Sequence, residues 1–296
     1  MPATVDAAFN QFISRLRTTA QESAAAASHR ASIAAKLKER FGMSSLFRTG
    51  SFGNGTNVTG HSDVDYFAVI PTANLKQDSG KSLAEVAAAL RERFPLTSDI
   101  RVDSPGVRVP FGLDGAEATE IVPVNETGRT QLGFRQFEIP DGNNGWMFSA
   151  PESHNAYVNS IDEQRQGKLK PLIRIMKAWK FKRNVPIKSF YLEIRTAQHA
   201  ANENSIIYDI DVSILFKKFL VDGLSDFPDP RFPVDGFVLK ACNTELQRQD
   251  ALSKLANAAE WASDAVEHRR ANRTRAAFGR WDLVFNYQFP PYIAWL

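Results

Sequence analysis

The sequence predicts an α+β protein in which a lobe mixing strands and helices is followed by an almost wholly helical lobe. Three observations carry this expectation. Runs of β-branched and aromatic residues bounded by Gly and Pro cluster before about Tyr157. From Lys168 onward the apolar residues instead recur every three or four positions. At 296 residues and 43% hydrophobic, the chain is long enough for one large or two modest cores. The division expected is 1–160 for the mixed lobe and 161–296 for the helical one.

Taken in order, Asp6 to about Phe41 reads as one long helix or two. Phe9, Ile13 and Leu16, then Ile33, Leu37 and Phe41, share a helical period, and Gly42 stops it. SSLFRTG is a short strand ending in glycine. DVDYFAVIP is a second strand, apolar enough to be buried on both faces and stopped by Pro71. Ser82 to Phe94 is a helix with Leu83, Val86, Ala87 and Leu90 inward. IRVDSPGVRVPFGLDGAEATEIVPV reads as two or three further strands. Beyond Lys168, LKPLIRIMKAWKFKR, SFYLEIRTAQHAAN, DVSILFKKFLVDGL and the run from Asn243 to Ala271 are helices. A site in such a protein is expected in the cleft between the lobes.

Composition narrows the function. A formal net charge of +3 is a weak footprint for a protein devoted to nucleic acid, but suits small anionic ligands. Cys242 is the single cysteine, so an intramolecular disulfide and a cysteine-based zinc site are both excluded, and the thiol is expected to be buried. The N-terminus has no apolar signal region, and no window approaches the roughly 18 apolar residues of a membrane span. A reducing, cytoplasmic compartment and no membrane partner are expected.

The segment TGSFGNGTNVTGHSDVDYFAVI, from Thr49 to Ile70, carries the chemistry. Residues two apart on a strand point to one face, so Asp63 and Asp65 project side by side, about 6–7 Å apart. Two adjacent carboxylates repel and must be solvated, protonated or bridged by cations. A pair of divalent ions removes the repulsion and is the arrangement used for in-line phosphoryl chemistry. Glu120, a lone acid in an otherwise apolar strand, is the candidate third oxygen ligand. About a dozen residues before the acids, Gly50 and Ser51 open a short helix whose N–H groups and hydroxyl suit a phosphate. It is the order that is specific: a phosphate cradle, Asp-x-Asp on a strand, and a third acid on a later strand.

These residues resemble the Gly-Ser/Asp-x-Asp motif of the polymerase-β-type nucleotidyltransferase superfamily. GWMFSAPESHNAYVNSID, LKPLIRIMKAWKFKRNVPIKSFYLEI and AFGRWDLVFNYQFP extend the resemblance to the bacterial CD-NTases, relatives of the animal cyclic GMP–AMP synthase, over most of the chain from about residue 40. The resemblance implies a two-lobed nucleotidyltransferase fold: a catalytic lobe on a mixed sheet with a long N-terminal helix, then a C-terminal α-helical lobe. It implies that Gly50 and Ser51 hold a donor triphosphate. Asp63, Asp65 and Glu120 would bind two Mg²⁺ ions, for which Mn²⁺ substitutes. Lys177 and Ser189 would contact the triphosphate, and Phe190 would stack on a base. Glu120 stands where the family more often has aspartate.

The residues around Lys177 agree with this in part. Lys170, Arg174 and Lys177 share one helix face, while Leu169, Leu172, Ile173 and Met176 cover another. The Ala and Trp after Lys177 place it near the core, where a buried ammonium needs an anion. Lys180, Lys182 and Arg183 read as a solvated cationic face. His61, Trp146, His154 and Asn155 read as turn and hinge residues, and the basic run from His268 to Arg280 as a wetted helix face.

The resemblance further implies a cyclic oligonucleotide made from ATP and GTP, first a dinucleotide such as cyclic GMP–AMP, as a second messenger in anti-phage defence. A regulatory protein partner fits this picture, whereas a DNA activator is not expected without a cysteine-rich zinc insertion. Two other readings of the fold remain: a template-free nucleotidyltransferase acting on RNA or a small acceptor, and a catalytically silent nucleotide-binding scaffold. Retention of an acid at all three positions weighs against the scaffold.

Overall fold

The protein is described by a computed structural model over residues 2–17, 20–61, 64–112, 117–231 and 238–293, with the side chains of 20–27 and 117 left out. It forms two compact units. One is Thr18–Tyr157; the other joins Met1–Arg17 to Val158–Leu296.

The first unit is built on a mixed sheet. β1 (Ser45–Arg48), β2 (Val64–Val69), β3 (Arg101–Asp103), β4 (Gly106–Phe111) and β5 (Glu117–Arg129) lie in the order β1-β2-β5-β4-β3. β2 and β5 run parallel, and their other neighbours are antiparallel. The far half of β5 continues past a bulge between Glu126 and Gly128 to pair with β6 (Arg135–Pro140), which pairs with β7 (Trp146–Ser149). Strand periodicity sorts the two faces. Val64, Tyr66, Ala68, Ile70, Val107, Val109, Phe111 and Ile121 form one core with Ile33, Leu37 and Phe41 of α2 (Ala20–Phe41) and Leu83, Val86 and Leu90 of α4 (Ser79–Arg93). Phe67, Val69, Val122, Val124 and Phe137 cover part of the opposite face. The short helix α3 (Gly50–Asn54) links β1 to β2.

The second unit contains α1 (Val5–Leu16), α6 (Leu169–Lys182), α7 (Ser189–Ala201), α8 (Tyr208–Val221), α9 (Glu245–Arg270) and α10 (Thr274–Val284). It also holds the two-residue strands β8 (Phe227–Pro228) and β9 (Val238–Leu239). The boundary falls inside α5 (Pro151–Gln164). α9 is the longest of these helices and is capped by the Thr244 side chain, which accepts from Gln247 N.

The N-terminal helical stretch thus splits where the 1–160 division kept it whole. α1 ends at Arg17 in extended backbone. Its two phenylalanines decide its allegiance. Phe9 packs edge-on against Trp281 with ring centroids 5.0 Å apart, and Phe12 lies 4.6 Å from Phe285. Full burial of each ring is worth about 1.5–3 kcal/mol. Arg269 of α9 bonds both Asp209, at 2.5 Å, and Asp6 of α1, at 2.8 Å, which fastens the helix at its polar end. β6 and β7 are a second difference. Trp146, expected as a hinge residue, opens the strand Trp146–Ser149, and its indole donates to the carbonyls of Lys76 and Gln77. No described helix is long and apolar enough to cross a membrane.

Candidate active site

The turn from β1 into α3 is fixed by the strand it faces. Thr49 N donates to the carbonyl of Asp65 at 2.9 Å, so the start of α3 is pinned alongside β2. Gly50 adopts φ +56°, and a Cβ there would lie 2.8 Å from Cγ of Asp65. The Asp65 carboxylate therefore rests against a bare backbone, which is why glycine precedes Ser51. Ser51 occupies the first turn of α3, and its carbonyl accepts from Thr56 N at 2.8 Å. Gly50→Ala is expected to displace Asp65 and, at this φ, to strain the turn. Transfer activity should fall about 100-fold while the thermal midpoint moves by only a few degrees, measured by initial rates and calorimetry.

Asp65 and Glu120 are direct partners in the parallel β2–β5 pairing. Their side chains therefore share a face, the one that carries Phe67, Val69, Val122 and Val124 further along. Both are half-buried. The Glu120 side chain leans over Gly106 of β4, where a Cβ would lie 2.5 Å from Cγ and 2.6 Å from Oε1. Each carboxylate thus has a glycine as its seat. Asp63 lies outside the described residues, so the described acids of the expected trio are Asp65 and Glu120. Two hard carboxylate donors in adjacent register, each given room by a missing side chain, fit a divalent cation with oxygen ligands.

In the helical unit, Lys177 and Glu193 are 1% and 6% exposed and form an ion pair. The anion that a buried Lys177 requires is therefore present within its own unit. The neighbouring cations are not the solvated face expected. Lys180 donates to Ser189 Oγ at 2.7 Å, and burial, with the nearby Lys177 charge, pulls its pKa down to about 8. Burial also lowers the pKa of Lys182. Arg183 donates to the carbonyl of Leu283 and lies over the Trp261 ring. The reason is the position of α6: its C-terminal turn is covered by α7 and by the segment after α10. Ser189 opens α7, and Phe190 beside it is 40% exposed, unlike the buried Tyr191 and Leu192 that follow. Lys180, read from the sequence as solvated, is instead held against Ser189; its three-residue spacing from Lys177, together with Ser189 at the next helix start, was the available signal.

A separate group, His199, Glu203 and Asp211, brings one ligand atom each within 4.8 Å of one another and is a possible metal-binding group among the described residues. Its hydrogen bonds are already organised: His199 Nε2 lies 2.8 Å from Asp211, and Lys218 Nζ lies 2.9 Å from Nδ1. An ammonium therefore stands where a cation on Nδ1 would sit.

A two-unit α+β chain with a Gly-Ser turn beside paired acids has the parts that nucleotidyl transfer calls for. Residues 3–161 match the Second Messenger Oligonucleotide or Dinucleotide Synthetase (SMODS) domain, and the chain belongs to that family. It is a nucleotidyltransferase of the kind that synthesises cyclic oligonucleotides. Its fold is similar to that of CdnC from E. coli MS115-1, solved with ATP, at 17% identity over 96% of this chain and 98% of that one, with a TM-score of 0.75. It is also similar to the cyclic AMP-GMP synthase DncV from Vibrio cholerae, solved with the linear intermediate 5′ pppA(3′,5′)pG, at 13% identity over 94% and 93% of the chains, with a TM-score of 0.76. The Elizabethkingia meningoseptica cyclic dinucleotide synthase CdnE, solved with GTP and Apcpp, matches at 21% identity over 77% and 89%, with a TM-score of 0.55. Among curated proteins, none matches this chain in sequence.

Proposed function

We propose that this chain joins nucleoside triphosphates, ATP and GTP first, into a cyclic dinucleotide such as cyclic GMP–AMP that serves as a cytoplasmic signal in anti-phage defence. The observation that carries the reading is the direct pairing of Asp65 with Glu120 beside the Gly50–Ser51 turn. Gly50 and Ser51 receive the donor triphosphate. Asp65 and Glu120, with Asp63, hold magnesium, two ions by the family pattern, with manganese able to replace it. When bound, such ions neutralise charge on the reacting phosphate and on pyrophosphate. The acceptor ribose hydroxyl attacks the α-phosphorus, the new P–O bond forms as the α–β bridge breaks, and pyrophosphate leaves. The hydroxyl proton passes to a carboxylate of the acid set. A second transfer within the linear product closes the ring.

From the helical unit, Lys177 and Ser189 contact the triphosphate, with Lys180 bonded to Ser189 as an additional cation, and Phe190 stacks on a base. Lys177 also keeps its bond to Glu193. A lysine with a pKa near 8 gives a signed prediction. Below about pH 8 the ammonium is charged and donor affinity is full; as pH rises through 8 the charge is lost and the donor KM climbs. For stability the sign is reversed. Folding depresses this pKa, so between about 8 and 10.5 the unfolded chain holds a proton that the folded chain does not, and stability rises with pH. Lys180→Arg should flatten the KM profile, because arginine stays charged across this range. KM measured from pH 6.5 to 9.5 checks it.

One HORMA-bound structure of the E. coli CdnC protein supports a regulatory protein partner here as well. The decisive assay is incubation of the purified chain with the four α-labelled nucleoside triphosphates and Mg²⁺, with and without candidate activators, followed by phosphatase. A phosphatase-resistant cyclic product supports the reading. Long labelled RNA would favour a tailing enzyme, and no labelled product under any condition would favour a silent scaffold.

A further inference from the structure

The run from His268 to Arg280 holds five arginines and one histidine and no acid. It spans the bend at which α9 turns into α10, two helices that pack on one another. Two of these arginines are engaged: Arg269 bonds Asp209 and Asp6, and Arg280 pairs with Asp264 at 3.2 Å. Arg270, Arg273 and Arg275 are exposed, and their side chains make no ion pair or hydrogen bond among the described residues. Glu267, the last acid before the run, is exposed and pairs with none of them. Arg270, in the last turn of α9, suits the helix dipole. Arg273 and Arg275 do not: they open α10, which has no acid in its first turn, whereas α1 and α9 open on Asp6 and Glu245. A solvated face explains why these arginines are exposed. It does not explain why cations gather where a helix start disfavours them.

We propose that the α9–α10 bend docks an acidic segment of a protein partner, with Arg270, Arg273 and Arg275 receiving its carboxylates. The surface is independent of nucleotidyl transfer, since no residue of the acid set or of the Gly50–Ser51 turn belongs to it. Charge complementarity sets the partner's sign, and the planar guanidinium fork matches a carboxylate with two parallel bonds. Two features favour carboxylates over a nucleic-acid backbone. A duplex binder neutralises about six to ten phosphates, whereas three unengaged guanidiniums stand here on a chain of net charge +3. Sites for single strands interleave aromatic rings on which bases stack, and residues 267–277 include no Phe, Tyr or Trp.

The test titrates the full chain into a fluorescein-labelled peptide rich in Glu and Asp and reads anisotropy at low and moderate salt. The wild type should bind, with affinity falling as salt rises. Arg270→Glu, Arg273→Glu and Arg275→Glu together should weaken binding about tenfold or more. The same three positions changed to Lys should lose less, because the charge stays and only the fork is removed. Lys38→Glu, Arg40→Glu and Lys81→Glu together shift the net charge equally from other exposed positions and should leave binding nearly unchanged. Circular dichroism and thermal midpoints check the folding of each variant. If the arginine reversal fails to fold, Arg270→Gln, Arg273→Gln and Arg275→Gln decide the matter, with weakening again expected. No binding by the wild type at low salt overturns the proposal, and so does an equal loss in the two reversed variants. Tighter binding of duplex DNA, duplex RNA or phosphatidylserine vesicles than of the peptide, lost in the arginine variant, overturns it too and makes the bend a phosphate-binding surface.

Discussion

Asp65→Asn is expected to lower the rate of pyrophosphate release from nucleoside triphosphates by about a thousandfold or more, and Glu120→Gln to do the same. Asp65→Asn should not destabilise the protein. Asp65 and Glu120 are like charges on directly paired strand positions, an arrangement that costs stability when no cation is present. Removing the Asp65 charge should leave the thermal midpoint of the metal-free protein unchanged or raise it, whereas Glu120→Gln also removes the carboxylate facing Arg108 and should gain less. Added Mg²⁺ should raise the midpoint of the wild type and have little effect on either variant. Activity and stability moving in opposite directions mark a pair kept for chemistry. Parallel losses of both would mark a structural pair instead. Initial rates and calorimetry in the presence and absence of Mg²⁺ separate the two.

The second large effect lies in the helical unit. Glu193→Ala leaves the ammonium of Lys177, 1% exposed, without its buried carboxylate. Breaking such a pair from one side costs about 3–5 kcal/mol, which for a unit of this size lowers the midpoint by roughly 10 °C. The double change Lys177→Met with Glu193→Leu should recover most of this, because apolar residues of similar volume remove both desolvation penalties. Kinetics of the double variant then show whether Lys177 also supports the donor. Restored stability with a raised donor KM is the expected result, measured by thermal unfolding and steady-state rates on one preparation.

The candidate site of the first unit could be proposed from sequence because its signals are local. Gly50-Ser51 before a strand, and acids on that strand, occupy one continuous stretch. Glu120 stood out as a single charge in an apolar run. What the stretch does not contain is register: that Asp65 pairs with Glu120, and that Arg108 lies opposite Glu120, depends on how three strands align. Gly106 gives no sign in sequence that it makes room for Glu120, because the reason is the neighbouring strand. The helical unit was harder for the same cause. Lys177 and Lys180 are both amphipathic cations on one helix, and only tertiary packing decides which faces Glu193 and which reaches Ser189. α1 was assigned to the wrong neighbours because its aromatic partners, Trp281 and Phe285, lie more than 260 residues away along the chain. β6 and β7 escaped notice because their residues are mostly half-exposed and show no clean alternation.

Anomalous diffraction from crystals grown with Mn²⁺ and a non-hydrolysable nucleoside triphosphate tests the account most directly. A manganese peak bonded to carboxylate oxygens of Asp65 and Glu120, with the triphosphate against Gly50 and Ser51, is the predicted result. Manganese confined to His199, Glu203 and Asp211, or nucleotide bound with no metal at Asp65 and Glu120, would contradict it.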